Sequence, residues 1–302
     1  MTNQENPLVS VRILTYNSSK YVINTLDSIF NQTYQNIELI ISDDCSTDDT
    51  IEICREWLDK HEYRFSNVVF MTSPVNTGVC ANSKRSLEAA NGEWIKGLGG
   101  DDALYKNAIS DLVNFVQAEK CNICASLMDY MDEDGNPLIT DLGGRYNDYQ
   151  DILCLPYRKQ YRLAKQSIIV PGPVLFYSKK VYQITGGPND KYGAADEWSF
   201  LYKVLKNGFR IHLCKKILVK YRVRESSLCH SSITSDNSYH RLCNRQFIKE
   251  VILPDMIKEK NYLLWWHIYI KYIKYGNKRY KYLSILDPLW YVDKIKLLIG
   301  KM

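Results

Sequence analysis

Through its first 120 residues the chain alternates continuous apolar runs with stretches of helical spacing. Leu8 to Tyr16, Ile37 to Ser42, Val68 to Met71 and Trp94 to Leu98 read as strands. Between them, Tyr21 to Phe30 places Val22, Leu26, Ile29 and Phe30 on one side, with Asn17-Ser18-Ser19 as turn and helix cap. Ile51 to Asp59, the segment from Asn76-Thr77-Gly78 through Ala90, and Ala108 to Val116 complete the helices. Strands that are apolar without alternation are buried on both faces, so this order predicts a mostly parallel central sheet with flanking helices.

Polar and acidic residues gather where successive strands run out, at Thr15-Tyr16-Asn17, Asp43-Asp44 and Asp101-Asp102. That edge is where open α/β sheets bind nucleotides. None of the three ends has a glycine-rich phosphate loop, so a pyrophosphate bound there needs a cation to neutralise it. Adjacent carboxylates repel each other unless something compensates, and an oxygen-only pair suits Mg²⁺ or Mn²⁺ bridging to a diphosphate. An isolated Asp-Asp turn is ordinarily a solvated helix cap. Its place beside two other polar strand ends favours the metal reading of Asp101 and Asp102.

The second half is less regular. Cys124 to Met131 reads as a strand, residues 132–137 as a turn and Tyr146 to Lys165 as a helical or mobile insertion. Pro171-Gly172-Pro173 interrupts a strand over Ile168 to Phe176. A helix follows Ala194-Ala195-Asp196-Glu197-Trp198 and stops at Asn207-Gly208, and Ile211 to Tyr221 reads as a further strand pair.

The 302 residues carry a net charge of +5 that is unevenly spread. Residues 254–302 hold ten basic against four acidic residues, and the remainder 29 against 30. Basicity confined to the tail, without a recognition motif, points away from nucleic acid and towards an anionic surface. Nine scattered cysteines in mostly apolar runs read as reduced thiols of a cytoplasmic protein, Cys121 and Cys124 included. Met1 to Asn6 is polar, which predicts no signal peptide, and no apolar run of about 18 residues is present to span a bilayer.

Five stretches in order resemble glycosyltransferase family 2 of the GT-A fold. They are Val9 to Asn17, Ser28 to Tyr34, Glu38 to Asp48, Asn76-Thr77-Gly78, and Gly92-Glu93-Trp94-Ile95 through Asp101-Asp102. The similarity spans residues 7–225. It implies a catalytic domain over 1–225, with a Rossmann-like nucleotide-sugar-binding half at 7–120 and an acceptor-binding half at 121–225. Residues 226–302 would form a C-terminal helical extension. The activity implied is inverting, metal-dependent hexosyl transfer from a nucleotide-sugar, a UDP-sugar by family frequency. The acceptor would be a glycan or polyprenyl-diphosphate-linked saccharide in bacterial O-antigen or capsule assembly, and the cofactor Mn²⁺ or Mg²⁺.

Carried onto this chain, the resemblance sets Thr15, Tyr16 and Asn17 at the nucleotide and Asp44 on the base ring N–H, with Asp43 as its neighbour or a helix cap. Asp101 would face the ribose or the ion's water shell, and Asp102 would hold the cation. The family's Glu-Asp-aromatic motif stands reversed as Asp196-Glu197-Trp198. By position the acceptor-side base is Glu197 and by residue type Asp196. Glu197 is favoured, and because neighbours on a helix diverge by about 100°, one serves while the other stabilises the helix dipole. Ser83-Lys84 stands where the family often has an Arg-Asn pair, so a usual nucleotide contact is either missing or shifted to Lys84. Arg224 of Arg222-Val223-Arg224 replaces a His, with His230 as a compensating candidate; either arginine could screen phosphate, the alternative being an ordinary surface pair.

In the tail, Tyr262 to Ile270 precedes Lys271, Lys274, Lys278 and Lys281. Aromatic bulk beside a lysine stripe is what an interfacial helix needs, so residues 258–301 are expected to hold the protein at the inner face of the cytoplasmic membrane. The alternative is a helix packed on the catalytic domain or on a second subunit of a homodimer. Two other functions compete. A sugar nucleotidylyltransferase would need a glycine- and arginine-rich loop that Asn17-Ser18-Ser19-Lys20 lacks, and a non-catalytic carbohydrate- or nucleotide-binding module would not turn over donor.

Overall fold

The computed structural model describes residues 6–138, 149–224, 239–276, 286, 287 and 289. Contacts divide the chain into two units, Met1–Ser227 and Leu228–Met302.

The first unit is built on one sheet of eight strands. These are β1 (Val9–Thr15), β2 (Ile37–Asp43), β3 (Asn67–Thr72), β4 (Trp94–Gly99), β5 (Ala103–Leu104), β6 (Ile123–Met131), β7 (Leu175–Ser178) and β8 (His212–Arg222), in the order β3-β2-β1-β4-β7-β6-β8-β5. The helices are α1 (Val22–Phe30), α2 (Thr50–His61), α3 (Val79–Glu88), α4 (Ala108–Glu119), α5 (Tyr149–Cys154), α6 (Tyr157–Ala164), α7 (Lys179–Thr185) and α8 (Asp196–Lys206). β3, β2, β1 and β4 run parallel, and β2 is buried along its whole length, including Glu38, whose carboxylate accepts hydrogen bonds from Ser10, Asn67 and Asn91. Register then sets the functional edge, because Thr15 pairs with Asp43, Asp43 with Thr72, and Leu14 with Gly99. The polar residues that follow β1, β2 and β4 therefore emerge at the same end of the sheet.

The other half makes the sheet mixed. β7 is antiparallel to both β4 and β6, and β6 pairs parallel with β8. Residues 211–221, expected as a strand pair, form the single long strand β8. Its Lys215 and Lys216 are exposed where the pairing with β6 shifts register, so the polar interruption marks a bulge rather than a turn. Ala103-Leu104, too short to show periodicity, pairs with β8 directly after the Asp pair. The expected cap of α1 is also different. The carbonyl of Ser18 accepts the N–H groups of Tyr21 and Val22, and Asn17 is turned towards the loop after β2 instead.

The second unit is helical. Tyr239–Phe247, a π-turn over Ile248–Ile252 and Leu253–Lys258 form one continuous run, and Tyr262–Gly276 follows. Lys260 has a φ of 56° in the turn between them. His267 Nδ1 lies 2.7 Å from Asp287 Oδ2, both nearly buried, and Trp266 Nε1 donates to the Leu286 carbonyl at 2.7 Å. Trp265 stacks on Tyr269, while Tyr262, Leu263 and Trp266 are exposed. Lys271 is exposed on this helix. The side chain of Lys274, and Lys278, Lys281 and His230 altogether, lie outside the described residues. Among the described residues every cysteine is unbridged, no cluster of three or more metal-ligating side chains occurs, and no helix is long and apolar enough to cross a membrane.

Candidate active site at the carboxyl edge of the sheet

The Asp101-Asp102 corner is made possible by the two glycines before it. Gly100 N–H donates to the Leu14 carbonyl at 2.8 Å, and a Cβ on Gly100 would lie 2.9 Å from Thr15 Cγ2 and 3.0 Å from Ser18 Oγ. A side chain there would push the corner off the end of β1. Asp102 is 3% exposed. Its carbonyl accepts the Thr25 hydroxyl at 2.6 Å, and its Oδ1 accepts the Arg222 backbone N–H at 3.0 Å. Its Oδ2 accepts no hydrogen bond from the described residues. Burial, and then the adjacent Asp101 charge, hold the Asp102 carboxyl well above the ordinary range.

Asp101 Oδ2 is 2.7 Å from Arg224 Nη2. Arg222 is committed elsewhere. Its Nε donates to the Asp101 carbonyl, Nη1 to the carbonyls of Asp132 and Glu133, each at 2.9 Å, and Nη2 to Asn24 Oδ1 at 3.3 Å, while the guanidinium lies over the Tyr21 ring. It ties together the corner, α1 and the turn after β6, leaving little donor capacity for a phosphate. Among the described residues Arg224 Nε has no partner, so of the two arginines it is the one able to take a further acceptor. The open oxygen of Asp102 beside Asp101 fits a hard divalent cation completed by oxygens of a ligand and water.

Along the same edge, the carboxyl of Asp43 is used internally. It accepts the Thr15 hydroxyl at 2.8 Å, the Ser46 N–H at 2.8 Å and the Ser46 hydroxyl at 2.5 Å. Asn17, in the left-handed region with φ 48°, accepts the Thr47 N–H at 2.8 Å and fixes the same loop, leaving Tyr16 half-exposed beside it. Asp44 accepts the Thr77 hydroxyl and N–H at 2.6 and 3.0 Å and the Gly78 N–H at 2.6 Å. Arg85 also donates to it, at 2.8 Å. Burial opposes its charge, but these donors outweigh it and hold the carboxyl below its usual range. Lys84, expected at the nucleotide, lies 3.7 Å from Asp190, with both side chains about half exposed. The cation at Asp44 is Arg85, one residue along α3.

The other carboxylate sits at the start of α8. Glu197 is half-buried and accepts the Gly172 N–H, and a Cβ on Gly172 would fall 2.0 Å from Glu197 Oε1. Loss of water, then the charge of Asp196, pushes the Glu197 carboxyl up to about 7, against the opposing pull of Gly172 and Arg12. Asp196, at the first position of the helix, accepts the Ser199 hydroxyl through its carbonyl. Two basic residues not anticipated from the sequence stand behind this carboxylate. Arg12 donates to Ser83 Oγ and Ser86 Oγ at 2.8 and 3.0 Å and lies flat over Gly97. Lys96 is fully buried in β4 and donates to the carbonyls of Pro173 and Leu175. A lysine inside the apolar run Trp94-Ile95-Lys96-Gly97-Leu98 was the available signal, since a strand buried on both faces has no solvent for an amine.

The model of the family described as "Glycosyl transferase family 2" matches residues 10–183. TuaG of Bacillus subtilis, whose name places it in teichuronic acid biosynthesis as a glycosyltransferase, is 28% identical over 229 residues, 76% of this chain and 83% of its own length. WfaP of Escherichia coli, named as a UDP-Glc:alpha-D-GlcNAc-diphosphoundecaprenol beta-1,3-glucosyltransferase, is 34% identical over 37% of this chain and 43% of its own. Among solved structures, S. aureus TarS in complex with UDP-GlcNAc superposes with a TM-score of 0.60 at 19% identity, covering 96% of this chain and 88% of that one. Mannosyltransferase PcManGT from Pyrobaculum calidifontis, in complex with GDP-Man and Mn²⁺, gives 0.58 at 16% identity, over 98% and 88%. At these identities the two structures establish a shared GT-A fold.

Proposed function

Because the chain belongs to glycosyl transferase family 2, we propose that it is an inverting, metal-dependent transferase that moves a sugar from a UDP-sugar to a saccharide acceptor in bacterial surface polysaccharide assembly. The observation that carries this reading is the buried Asp102 with one oxygen open beside Asp101, at the edge where β1, β2 and β4 end together. Thr15, Tyr16, Asn17 and Asp44 border the nucleoside. Since all four acceptor positions of Asp44 are filled, a base N–H reaches it only as one of its present donors gives way. Asp101 and Asp102 would hold Mn²⁺ or Mg²⁺ against the diphosphate. When bound, the ion would neutralise the charge that develops on the leaving group. Arg224 lies at the same corner and is the better placed arginine to share that task.

Glu197 is assigned as the base. The acceptor hydroxyl gives its proton to this carboxylate as its oxygen bonds the anomeric carbon, and the bond to the diphosphate breaks with its electron pair leaving on the nucleotide. A carboxyl held at about 7 matches proton transfer near neutral pH better than an ordinary glutamate. Asp196, its neighbour, acts on that value by its charge.

The acceptor we favour is a polyprenyl-diphosphate-linked saccharide, as the name of WfaP specifies for that relative. The exposed Tyr262, Leu263 and Trp266 and the lysines of the C-terminal unit would then rest on the anionic membrane that carries it. Screening nucleotide-sugars for hydrolysis with Mn²⁺ tests the core reading. Turnover of a UDP-sugar that is abolished by Asp102→Ala supports it, and a wild-type protein that binds nucleotide but hydrolyses no donor contradicts it.

A further inference from the structure

We infer that Lys96 is a positioning residue, a cross-brace that ties the strand leading to Asp101-Asp102 to the loop that holds Glu197. The inference rests on the assignment of Glu197 as base. Lys96 has no solvent exposure, and among the described residues its hydrogen bonds go to the Pro173 and Leu175 carbonyls and to no carboxylate. Burying an amine is unfavourable, and here it drives the ammonium down to about 7. A methionine or leucine would fill a central strand without that cost. A local rule broken at such expense in a core strand points to what the group holds in place.

What it holds is a turn with few backbone hydrogen bonds of its own, anchored otherwise by the buried Ile169, Val170 and Val174. Pro171 and Pro173 contribute no N–H, the Gly172 N–H goes to Glu197, and Leu175 N–H closes a single 3₁₀ turn onto the Gly172 carbonyl. The carbonyls of Pro173 and Leu175 receive the Lys96 amine. Lys96 therefore fixes the turn, the turn fixes the Gly172 N–H, and that N–H fixes the carboxylate. From Lys96, β4 runs on to Gly99 and the acidic corner, and Lys96 itself is paired with Phe176 at the start of β7. One side chain thus sets the acidic corner and the base in a common frame. In-line displacement is sensitive to such framing, since a misplacement of about 1 Å can cost about 100-fold.

A double-mutant cycle of Lys96→Met and Glu197→Gln tests this, using hydrolysis of the UDP-sugar that the wild type turns over fastest, with calorimetric binding of UDP plus Mn²⁺ and thermal melts alongside. Lys96→Met is expected to lower kcat by about 10- to 100-fold with KM for the donor and UDP affinity within about twofold of wild type. In the Glu197→Gln background it should cost almost nothing further, because the group it positions is gone. Gly172→Ala, which crowds the same carboxylate from the loop without touching Lys96, should reproduce the kcat loss. Should Lys96→Met not fold, Gly172→Ala gives the same reading, and a wild-type kcat in that variant overturns the inference. A Lys96→Met loss that multiplies with that of Glu197→Gln, or one that appears in UDP affinity, also overturns it while leaving the base assignment standing. Wild-type turnover by Glu197→Gln alone would instead remove the assignment itself.

Discussion

Arg85 Nη2 lies 2.8 Å from Asp44 Oδ1, and the same guanidinium reaches Thr77 Oγ1 through Nη1 at 2.8 Å. Strand end, loop and helix are joined at one carboxylate, because Thr77 and Gly78 bond that carboxylate as well. The cation that shapes the proposed base-binding edge is thus Arg85, while Lys84 pairs with Asp190.

Arg85→Met is accordingly expected to weaken UDP binding by about tenfold, the worth of one charge-assisted contact and the order it imposes. Lys84→Ala breaks only a solvent-screened pair and should leave affinity within about twofold. Calorimetry with UDP on both variants checks this, and a larger loss for Lys84→Ala would restore Lys84 to the nucleotide.

Asp102→Asn keeps the shape of the corner but removes a carboxylate charge. Donor hydrolysis should fall by about 100-fold or more, with loss of Mn²⁺ binding measured by calorimetry in the presence of UDP. Asp101→Asn, already neutralised in part by Arg224, should show the smaller loss of metal affinity.

The carboxyl of Glu197, held at about 7, predicts that kcat/KM climbs with pH and levels off above about 7. Glu197→Gln should be slower by about 100-fold or more and lack that rise. Stability gives an independent reading. The folded protein holds this proton more tightly than the unfolded chain, whose glutamate titrates near 4.5. The stabilising contribution is therefore full below 4.5 and is lost as pH rises through 7. Melts of wild type and Glu197→Gln should diverge in favour of the glutamine over that window, and parallel melting curves would contradict the shift.

Arg222→Ala strips donors from three backbone carbonyls and Asn24 and uncovers Tyr21, which should cost about 3 kcal/mol in urea unfolding. Arg224→Ala, more exposed and paired with Asp101, should cost about 1 kcal/mol or less yet reduce UDP affinity. Equal destabilisation by the two would mean that both arginines are scaffold.

Leu263→Ser with Trp266→Ser should release the full-length protein from vesicles containing anionic lipid while leaving donor hydrolysis intact. Sedimentation with neutral and anionic vesicles reads this directly. Absence of wild-type binding to either would refer the exposed aromatic face to a protein partner.

The parallel half of the fold was readable because β1, β2 and β4 are largely buried and end in polar residues, so apolar runs and their acidic ends mark both position and edge. Thr15, Asp44 and Asp102 fall at that edge for this reason. The second half resists such reading. The two-residue Ala103-Leu104 strand is too short for periodicity, and the bulge at Lys215-Lys216 imitates a turn. Arg85 and Lys96 were missed because their partners, Asp44 and the Pro173 and Leu175 carbonyls, are brought to them only by long-range folding. Motif position points only to Lys84, and one step along a helix turns a side chain through about 100°.

The contact at Gly172 and Glu197 bears on how this enzyme can be re-engineered. A β-carbon at 172 would displace the Glu197 carboxylate, so the turn and the start of α8 are matched to each other and behave as one cassette. A chimera that borrows the 171–174 turn from a relative with any larger residue would have to import that relative's helix start too, and exchanging acceptor loops alone should yield folded but idle protein.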